Sequence, residues 1–260
     1  MQEKLKIAVV QSDLVWENPK ENRLLFTQKI NAITEAVDLI LLPEMFTTGF
    51  TMNASTLAEN MQGESVQWML EMAKKSNAAI VGSLIITENN AYYNRLLFVH
   101  PEGKIDVYDK RHTFTLAGED KVYQAGNKKV LVSYKGWKIC PLVCYDLRFP
   151  VWARNTEEYD LLLYVANWPK LRITAWDALL KARAIENMTY CIGVNRVGLD
   201  INNYEYSGSS AVYDVLGEKI STIALGKEQT QIVTLDKKHI KKYRERLQFL
   251  GDADAFNLKV

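Results

Sequence analysis

The chain has 260 residues, of which 48% are hydrophobic and 24% are charged, values that are ordinary for a globular protein. Its formal net charge of +1 gives no electrostatic reason to expect binding to nucleic acid or to a membrane surface. No apolar run approaches the roughly 20 residues that span a bilayer, and the N-terminus lacks the layout of a signal peptide. Because three cysteines make an odd number in a large chain, we expect free thiols and a cytoplasmic location rather than a disulfide framework.

Apolar runs alternate with helical patterns from the N-terminus onward. They predict, in chain order, strand, helix, strand, helix and strand at Leu5–Val10, Lys20–Ala36, Asp38–Glu44, Ser65–Ser76 and Ala78–Ile85. The second of these strands is too apolar to have a solvent-facing side. Fully apolar strands that alternate with helices indicate an α/β fold whose sheet is covered on both faces.

The same order of patterns recurs in the second half of the chain. "KICPLVCYD" parallels "KIAVVQSD", and strand-, helix- and strand-like runs follow at Asp160–Pro169, Ile173–Asn187 and Thr189–Val197. This repeat predicts two similar mixed sheets, packed face to face with helices outside and related by an internal pseudo-two-fold. No linker or low-complexity tract interrupts the chain, so we expect one domain over residues 1–260.

Five further segments have predicted structural features. The chain is predicted to form antiparallel hairpins at Asn89–His112, turning at Pro101–Gly103, and at Ser207–Leu225, turning at Leu216–Gly217. The basic run Lys237–Leu247 predicts a solvated helix face. The last residues, Phe249–Val260, are apolar enough to dock on the body or on a partner subunit. Pro141 cannot donate a ladder hydrogen bond, so its strand needs a bulge or an edge there.

Polar residues follow several predicted strands, where ligands gather in α/β sheets. Glu44, Cys144 and Asn167 come directly after apolar runs, and Lys110 follows "KIDVYD". A thiol needs a base to act as a nucleophile, and an acyl-transfer reaction needs a cation or N–H donor for its oxyanion. Glu44 can supply the base, Lys110 the cation, and the backbone N–H of Tyr145 a second donor.

Each of these residues also has a simpler interpretation. Glu44 alone would cap a following helix, Lys110 alone would be a solvated surface lysine, and Cys140 and Cys191 are typical core residues. Glu119 in "GED" could reflect turn chemistry.

Neighbouring residues are interpreted in structural terms too. Asp146 and Arg148 are predicted to form an ion pair that holds the corner, and His112 is predicted to be a structural hydrogen bonder. Trp168 is either core packing or a pocket wall. No Cys/His cluster has zinc-ligand spacing, so neither a metal nor another cofactor is expected.

Three motifs, "LPEMFTTGF", "YDKRHTF" and "LVCYDLRFP", together resemble the nitrilase superfamily of carbon–nitrogen hydrolases. The resemblance covers essentially the whole chain. It implies an α-β-β-α sandwich, no cofactor, a homodimer, and an amidase with Glu44 as base, Lys110 as cation and Cys144 as nucleophile. "GEDKVYQAG" resembles the family segment with a second glutamate, here Glu119, which orients the lysine and the substrate.

Within that superfamily, "PEMFTTGF", "YDKRH", "VCYDLRFPVW" and "YVANWP" are most similar to the bacterial omega-amidases. This resemblance implies hydrolysis of the terminal amide of 2-oxoglutaramate through a thioester on the cysteine. An amidase or carbamoylase acting on another small amide or an N-carbamoyl amino acid is the alternative. Tyr145, Trp168 and Arg172 are the predicted substrate-binding residues, with Lys170 and Arg196 as other candidates for the substrate carboxylate.

Two alternatives come from other classes of protein. A non-catalytic scaffold could keep the fold, although the intact set of Glu44, Lys110 and Cys144 argues against it. A Cys-His peptidase would require His112 to be essential.

Overall fold

A computed structural model describes residues 2–259. Met1 and Val260, which begin and end the predicted domain, lie outside the described residues, and Val260 is also the last residue of the predicted tail. The strands are β1 Lys4–Gln11, β2 Leu39–Leu41, β3 Ala79–Glu88, β4 Ala91–Val99, β5 Ile105–Asp109, β6 Val132–Tyr134, β7 Trp137–Val143, β8 Leu161–Ala166, β9 Tyr190–Asn195, β10 Val197–Leu199, β11 Glu205–Ser207, β12 Ala211–Tyr213 and β13 Gln229–Asp236. The helices are α1 Pro19–Asn31, α2 Ala54–Leu57, α3 Glu64–Ser76, α4 Pro150–Ala153, α5 Ile173–Asn187 and α6 Lys237–Leu247.

The strands form two mixed sheets and one small hairpin. The first sheet has the order β13-β1-β2-β3-β4-β5, with β1, β2 and β3 parallel and the other neighbours antiparallel. The second has the order β12-β9-β8-β7-β6, with β7, β8 and β9 parallel between antiparallel edge strands. Strands β10 and β11 pair only with each other. The predicted pair of mixed sheets is therefore confirmed.

The two sheets pack face to face, with helices on their outer sides. Alternate β1 residues Leu5, Ile7 and Val9 share one core cluster with side chains of the second sheet. The intervening Ala8 and Val10 face a separate cluster that holds apolar side chains of α1 and α3. On the other side, α5 residues join the second sheet's core. Period-two alternation in β1 thus sorts its side chains between the two layers, as an α-β-β-α sandwich requires.

The predicted internal repeat agrees with the topology of the sheets. Three parallel strands in sequence order, β1-β2-β3 and β7-β8-β9, form the centre of each sheet, and each set is flanked by antiparallel strands. Several predicted elements are shorter than expected, α1 and β2 among them. Helix α1 ends at Asn31, before the β-branched Ile33 and Thr34. Strand β2 ends at Leu41, because Pro43 follows and cannot donate to a ladder.

The first predicted hairpin is confirmed, and the second is present in a shorter form. β4 and β5 pair antiparallel, and His100 N donates to Lys104 O at 2.8 Å across the predicted turn. The expected turn at Gly217 is also present: Asp214 N donates to Glu218 O at 3.0 Å, and Ile220 N donates to Val212 O at 2.9 Å around the bridge Tyr213–Lys219. On its other edge β12 pairs with β9, which the sequence pattern did not predict.

At Pro141, strand β7 is paired with a neighbouring strand on one side only. β7 pairs with β8 in continuous register through this residue, without a bulge, whereas β6 pairs only with residues 137–139. The sequence predicts either a bulge or an edge at Pro141, and the edge is therefore correct. No helix among residues 2–259 is long and apolar enough to cross a membrane. The described tail residues beyond Leu250 are exposed, so the tail does not dock on the body of its own chain.

Candidate active site

Cys144 stands at a sharp corner between β7 and a short 3₁₀ turn, Cys144–Arg148. Its backbone has φ +44°, in the left-handed region that residues with a Cβ rarely adopt. The N–H of Val143 donates to Asp146 Oδ2 at 3.0 Å and fixes the turn. A rigid strand thus delivers the thiol in a strained conformation, a feature that is common at functional sites.

Asp146 connects this corner to the end of β5. Its fully buried carboxylate accepts hydrogen bonds from Tyr108 Oη at 2.7 Å and from the backbone N and ring Nδ1 of His112 at 2.9 and 2.7 Å. The predicted Asp146–Arg148 ion pair is therefore wrong: His112 and Tyr108 occupy the carboxylate, and the Arg148 guanidinium lies over the Trp168 ring instead.

His112 matches the prediction of a structural hydrogen bonder. Besides its bonds to Asp146, its ring stacks on Phe149 with centroids 3.7 Å apart. Within residues 2–259, no hydrogen bond joins His112 to Cys144, and the arrangement lacks the direct Cys-His contact that a peptidase requires.

Glu44 follows β2 in a loop and not at the start of a helix, so the capping interpretation is wrong. Its side chain is fully buried. Oε1 accepts hydrogen bonds from Lys110 Nζ at 2.9 Å and from Asn94 Nδ2 at 2.8 Å, and Oε2 accepts one from Asn167 N at 2.8 Å. Oε2 therefore keeps capacity for a further donor.

Lys110 follows the last residue of β5 and is only 1% exposed, which contradicts the interpretation as a surface lysine. Its ammonium lies 2.9 Å from Glu44 Oε1, and 3.0 and 2.8 Å from the two carboxylate oxygens of Glu119. The Lys110 backbone is held on both sides: its N donates to Asn94 O at 3.0 Å, and its O accepts from Gly126 N at 2.9 Å.

Glu119 is also fully buried, so turn chemistry alone does not account for it. Besides both contacts with Lys110, its Oε2 accepts a hydrogen bond from Phe114 N at 2.5 Å. The structure thus places one ammonium between two carboxylates. Such a buried group of charges is stable only when its members are paired and hydrogen-bonded.

Burial and charge together keep the thiol protonated. Burial raises the pKa of Cys144 well above its ordinary value, and the nearby Glu44 carboxylate raises it further, while Lys110 opposes the shift. Burial alone would lower the pKa of Lys110, but Glu119 and Glu44 more than offset this effect and raise it. Burial likewise raises the pKa of Glu119. A nucleophile in this site therefore needs a base to remove its proton.

A cavity of about 320 Å³ opens beside these groups. Its walls include Cys144 and Lys110 together with mostly aromatic and apolar side chains. Two guanidiniums, those of Arg148 and Arg172, also line it. A cavity of this size suits a small molecule, and apolar walls with a few polar groups are typical of ligand sites.

Residues 6–245 match the carbon–nitrogen hydrolase family. The chain belongs to that family. An omega-amidase, YafV, of Escherichia coli strain K12 is 48% identical over 257 residues, 98% of each chain. A 2-oxoglutaramate amidase of Bacillus subtilis is 33% identical over 223 residues, which cover 84% of this chain and 86% of the relative.

Solved structures of carbon–nitrogen hydrolases agree with this assignment. XC1258 of Xanthomonas campestris, a CN-hydrolase superfamily protein solved with an arsenic adduct in its active site, superposes with a TM-score of 0.97. It is 41% identical and covers 99% of this chain and 100% of its own. The nitrilase-superfamily protein Nit3 of Saccharomyces cerevisiae shares the fold with a TM-score of 0.83 over 95% of both chains at 22% identity. The predicted fold class and hydrolase class are thus confirmed.

All three predicted substrate-binding residues of this hydrolase, Tyr145, Trp168 and Arg172, line the cavity. Trp168 is thus a pocket wall, although it also packs against Trp176 in the core. The other two candidates lie elsewhere. Lys170 pairs with Glu205 at 2.7 Å on the surface, and the fully buried Arg196 pairs with Asp13 at 2.6 Å.

Among the residues of the site that sequence reasoning missed are Arg148 and Asn94. Arg148 was assigned to an ion pair, but it lines the cavity, and the aromatic residues around it in "YDLRFP" were the available signal. Asn94 was not singled out at all. Its neighbours in "AYYNRLLFV" read only as hairpin material, so nothing local marked the position.

Proposed function

We propose that this carbon–nitrogen hydrolase is an omega-amidase that converts 2-oxoglutaramate and water to 2-oxoglutarate and ammonia through a cysteine thioester. One observation carries the proposal: Glu44, Lys110 and Cys144 meet beside a cavity that also holds two guanidiniums. The names of the relatives, omega-amidase and 2-oxoglutaramate amidase, support this choice of substrate.

In the first half of the reaction, the Cys144 sulfur attacks the amide carbon while Glu44 takes the thiol proton. The C=O double bond opens to an oxyanion, for which the Lys110 ammonium and the Tyr145 N–H are the proposed donors. As the carbonyl re-forms, the C–N bond breaks and Glu44 returns its proton to the departing ammonia. The Glu44 carboxylate acts first as the base and then, once protonated, as the acid, so no second proton carrier is needed.

In the second half, water attacks the thioester carbon. Glu44 takes a proton from the water, and the proton then returns to the sulfur as the C–S bond breaks. The product acid leaves, and the free thiol is restored. Glu119 has no direct part in either half; its two hydrogen bonds to Lys110 fix the ammonium and balance its charge.

The substrate carboxylate requires a cation at the other end of the cavity. Arg148 and Arg172 are suited to this role, since each guanidinium lies over an aromatic ring, 4.9 Å from Trp168 and 5.0 Å from Phe114 respectively. Neither has a side-chain hydrogen bond or ion pair with an acceptor among residues 2–259. Guanidiniums in such positions are available for a bidentate bond to a carboxylate.

A comparison of substrates tests the proposed function. Ammonia release is measured with 2-oxoglutaramate, with an N-carbamoyl amino acid and with a simple aliphatic amide that lacks a carboxylate. We expect the highest kcat/KM for 2-oxoglutaramate, because it combines a carboxylate with a true amide carbonyl. The carbamoyl carbonyl is less electrophilic, since it carries a second nitrogen, and the aliphatic amide has no carboxylate. A higher kcat/KM for the carbamoyl compound would favour the carbamoylase alternative instead.

We also propose that the chain acts as one domain, in a cytoplasmic homodimer. The largest core cluster joins side chains of both sheets, which supports a single folding unit. Free thiols at all three cysteines fit a reducing compartment. Exposed apolar side chains near the C-terminus, Phe249, Phe256 and Leu258, support an interface with a second copy.

A further inference from the structure

Asn94 contacts every charged member of the cluster around Lys110. It lies within β4, between β3 and β5, and is 1% exposed. Its Nδ2 donates to Glu44 Oε1 at 2.8 Å and to Glu119 Oε1 at 3.2 Å, and its backbone O accepts from Lys110 N at 3.0 Å. One residue of a rigid strand thus touches both carboxylates and the backbone that carries the ammonium.

The side-chain NH₂ group of Asn94 points toward the two carboxylates, and this orientation leaves the side-chain oxygen without a hydrogen-bond partner among the described residues. That oxygen, Oδ1, is buried. An unpaired buried acceptor destabilises a fold, so an orientation that leaves one needs a compensating gain elsewhere. Here the gain is a single NH₂ group that donates to two carboxylates at once.

These contacts also determine which oxygen of Glu44 is free. Oε1 receives both Lys110 and Asn94, whereas Oε2 receives only the Asn167 backbone N–H. We propose that Asn94 is a positioning residue, which fixes Glu44 and Glu119 on Lys110 and leaves Oε2 of Glu44 to take the Cys144 proton. This inference rests on the proposed function and adds a residue to its machinery.

The position of Asn94 predicts a pH effect that a purely structural residue would not produce. The titratable groups that face Glu44 are Lys110, Glu119, Cys144 and Tyr123. Removing the Asn94 donor leaves two buried carboxylates with less stabilisation of their negative charge. Glu119, whose pKa burial already raises, then binds a proton more readily, so its ion pair with Lys110 is lost at a higher pH than in the wild type.

The test substitutes Asn94→Leu, which keeps the approximate volume and removes the donor. Alkylation of Cys144 by iodoacetamide, and kcat and KM for 2-oxoglutaramate, are measured across pH. We expect the acid limb of both profiles to move up by about one pH unit, and kcat to fall about tenfold with KM little changed. Asn155→Leu is the matched control, because Asn155 also donates twice through its buried amide, but to the backbone oxygens of Tyr159 and Asn187 and not to the catalytic cluster.

A folded Asn94→Leu variant whose acid limbs coincide with those of Asn155→Leu would overturn the proposal. Should Asn94→Leu fail to fold, Asn94→Ser, which is too short to reach both carboxylates, is measured in its place against the same criterion. Alkylation needs no substrate. Suppose that the alkylation profile of Asn94→Leu is shifted but the wild type releases no ammonia from 2-oxoglutaramate. This outcome would support the role of Asn94 while refuting 2-oxoglutaramate as the substrate.

Discussion

Among single residues, Lys110 explains most of the chemistry of the site. Two carboxylates contact its one ammonium, so the ammonium is already paired before any thiolate forms. Burial is the main reason that the pKa of Cys144 is raised, the Glu44 carboxylate adds to the shift, and the thiol stays protonated. Proton transfer to Glu44 avoids the cost of a thiolate beside an ionised Glu44, because it moves charge within the cluster without increasing it.

Arg148 is the residue whose role most directly tests substrate binding. In Arg148→Met we expect KM for 2-oxoglutaramate to rise about 10- to 100-fold, with kcat within a few-fold of the wild type, because a charge-assisted bond to the carboxylate is lost. Steady-state ammonia release measures both constants. Lys170→Met serves as control, since Lys170 pairs with Glu205 on the surface.

Alkylation of Cys144 by neutral iodoacetamide should proceed at the wild-type rate in Arg148→Met. An unchanged KM in this variant would exclude Arg148 from carboxylate recognition and leave Arg172 as the remaining cation of the cavity.

Among the elements, the end of β5 shows how a backbone positions a catalytic group. Gly126 N donates to Lys110 O, and a Cβ at Gly126 would fall well inside van der Waals distance of Asp109 O. Only glycine permits this close approach between the two segments. The requirement comes from a contact between distant segments, so the glycine in "YQAG" could not be distinguished by sequence from an ordinary turn residue.

The substitution Gly126→Ala should therefore have two effects at once: it should displace Lys110, and it should destabilise the fold. We expect kcat/KM to fall at least tenfold and the free energy of unfolding to fall by about 1–3 kcal/mol, the usual cost of overpacking. Urea unfolding and ammonia release measure the two effects.

Gly118→Ala separates this clash from general strain. Gly118 has φ +73° but open space where a Cβ would lie, so this change should cost about 1 kcal/mol. Equal losses in the two variants would contradict the account of close approach at Gly126.

The sequence predicts elements well where burial alone determines them. The runs that became β2 and β8 are apolar throughout, and both are parallel interior strands. It fails where tertiary pairing decides. The sequence pattern predicts the turn at Gly217 but not the pairing of β12 with β9, and Asn94 looks like any strand residue until β5 brings Lys110 beside it.

In the whole molecule, the two sheets of the sandwich meet at the catalytic cluster. Glu44 follows β2 and Asn167 follows β8, the middle strands of the two similar halves. Asn167 N donates to Glu44 Oε2, and Asn167 Nδ2 donates to the Glu44 backbone O at 2.5 Å. The internal repeat predicted from sequence therefore has a functional consequence, because each half supplies one side of the site.

Motif order along the chain predicted which residues would converge, but not how. Sequence placed Glu44, Lys110, Glu119 and Cys144 in one site through a family resemblance. It could not show that Lys110 lies between two carboxylates or that Arg148 faces the cavity, since both depend on side-chain directions set by packing between the sheets.

The proposed homodimer interface includes exposed apolar side chains of the C-terminal tail. Truncation after Asp252 removes the exposed apolar residues Phe256 and Leu258. Because these side chains are proposed to bury themselves against a second copy, the truncated chain should dissociate at lower concentration than the full chain. Light scattering across a dilution series measures the dissociation. A full-length chain that is monomeric at every concentration would refute the homodimer.

The most direct measurement is the turnover of 2-oxoglutaramate by Cys144→Ala beside the wild type, at matched concentration and with thermal unfolding as a check on the fold. The account predicts that ammonia release falls to the uncatalysed background while the variant stays folded, because among residues 2–259 Cys144 is the one thiol that lines the cavity. A folded Cys144→Ala variant that retains substantial amidase activity would contradict it.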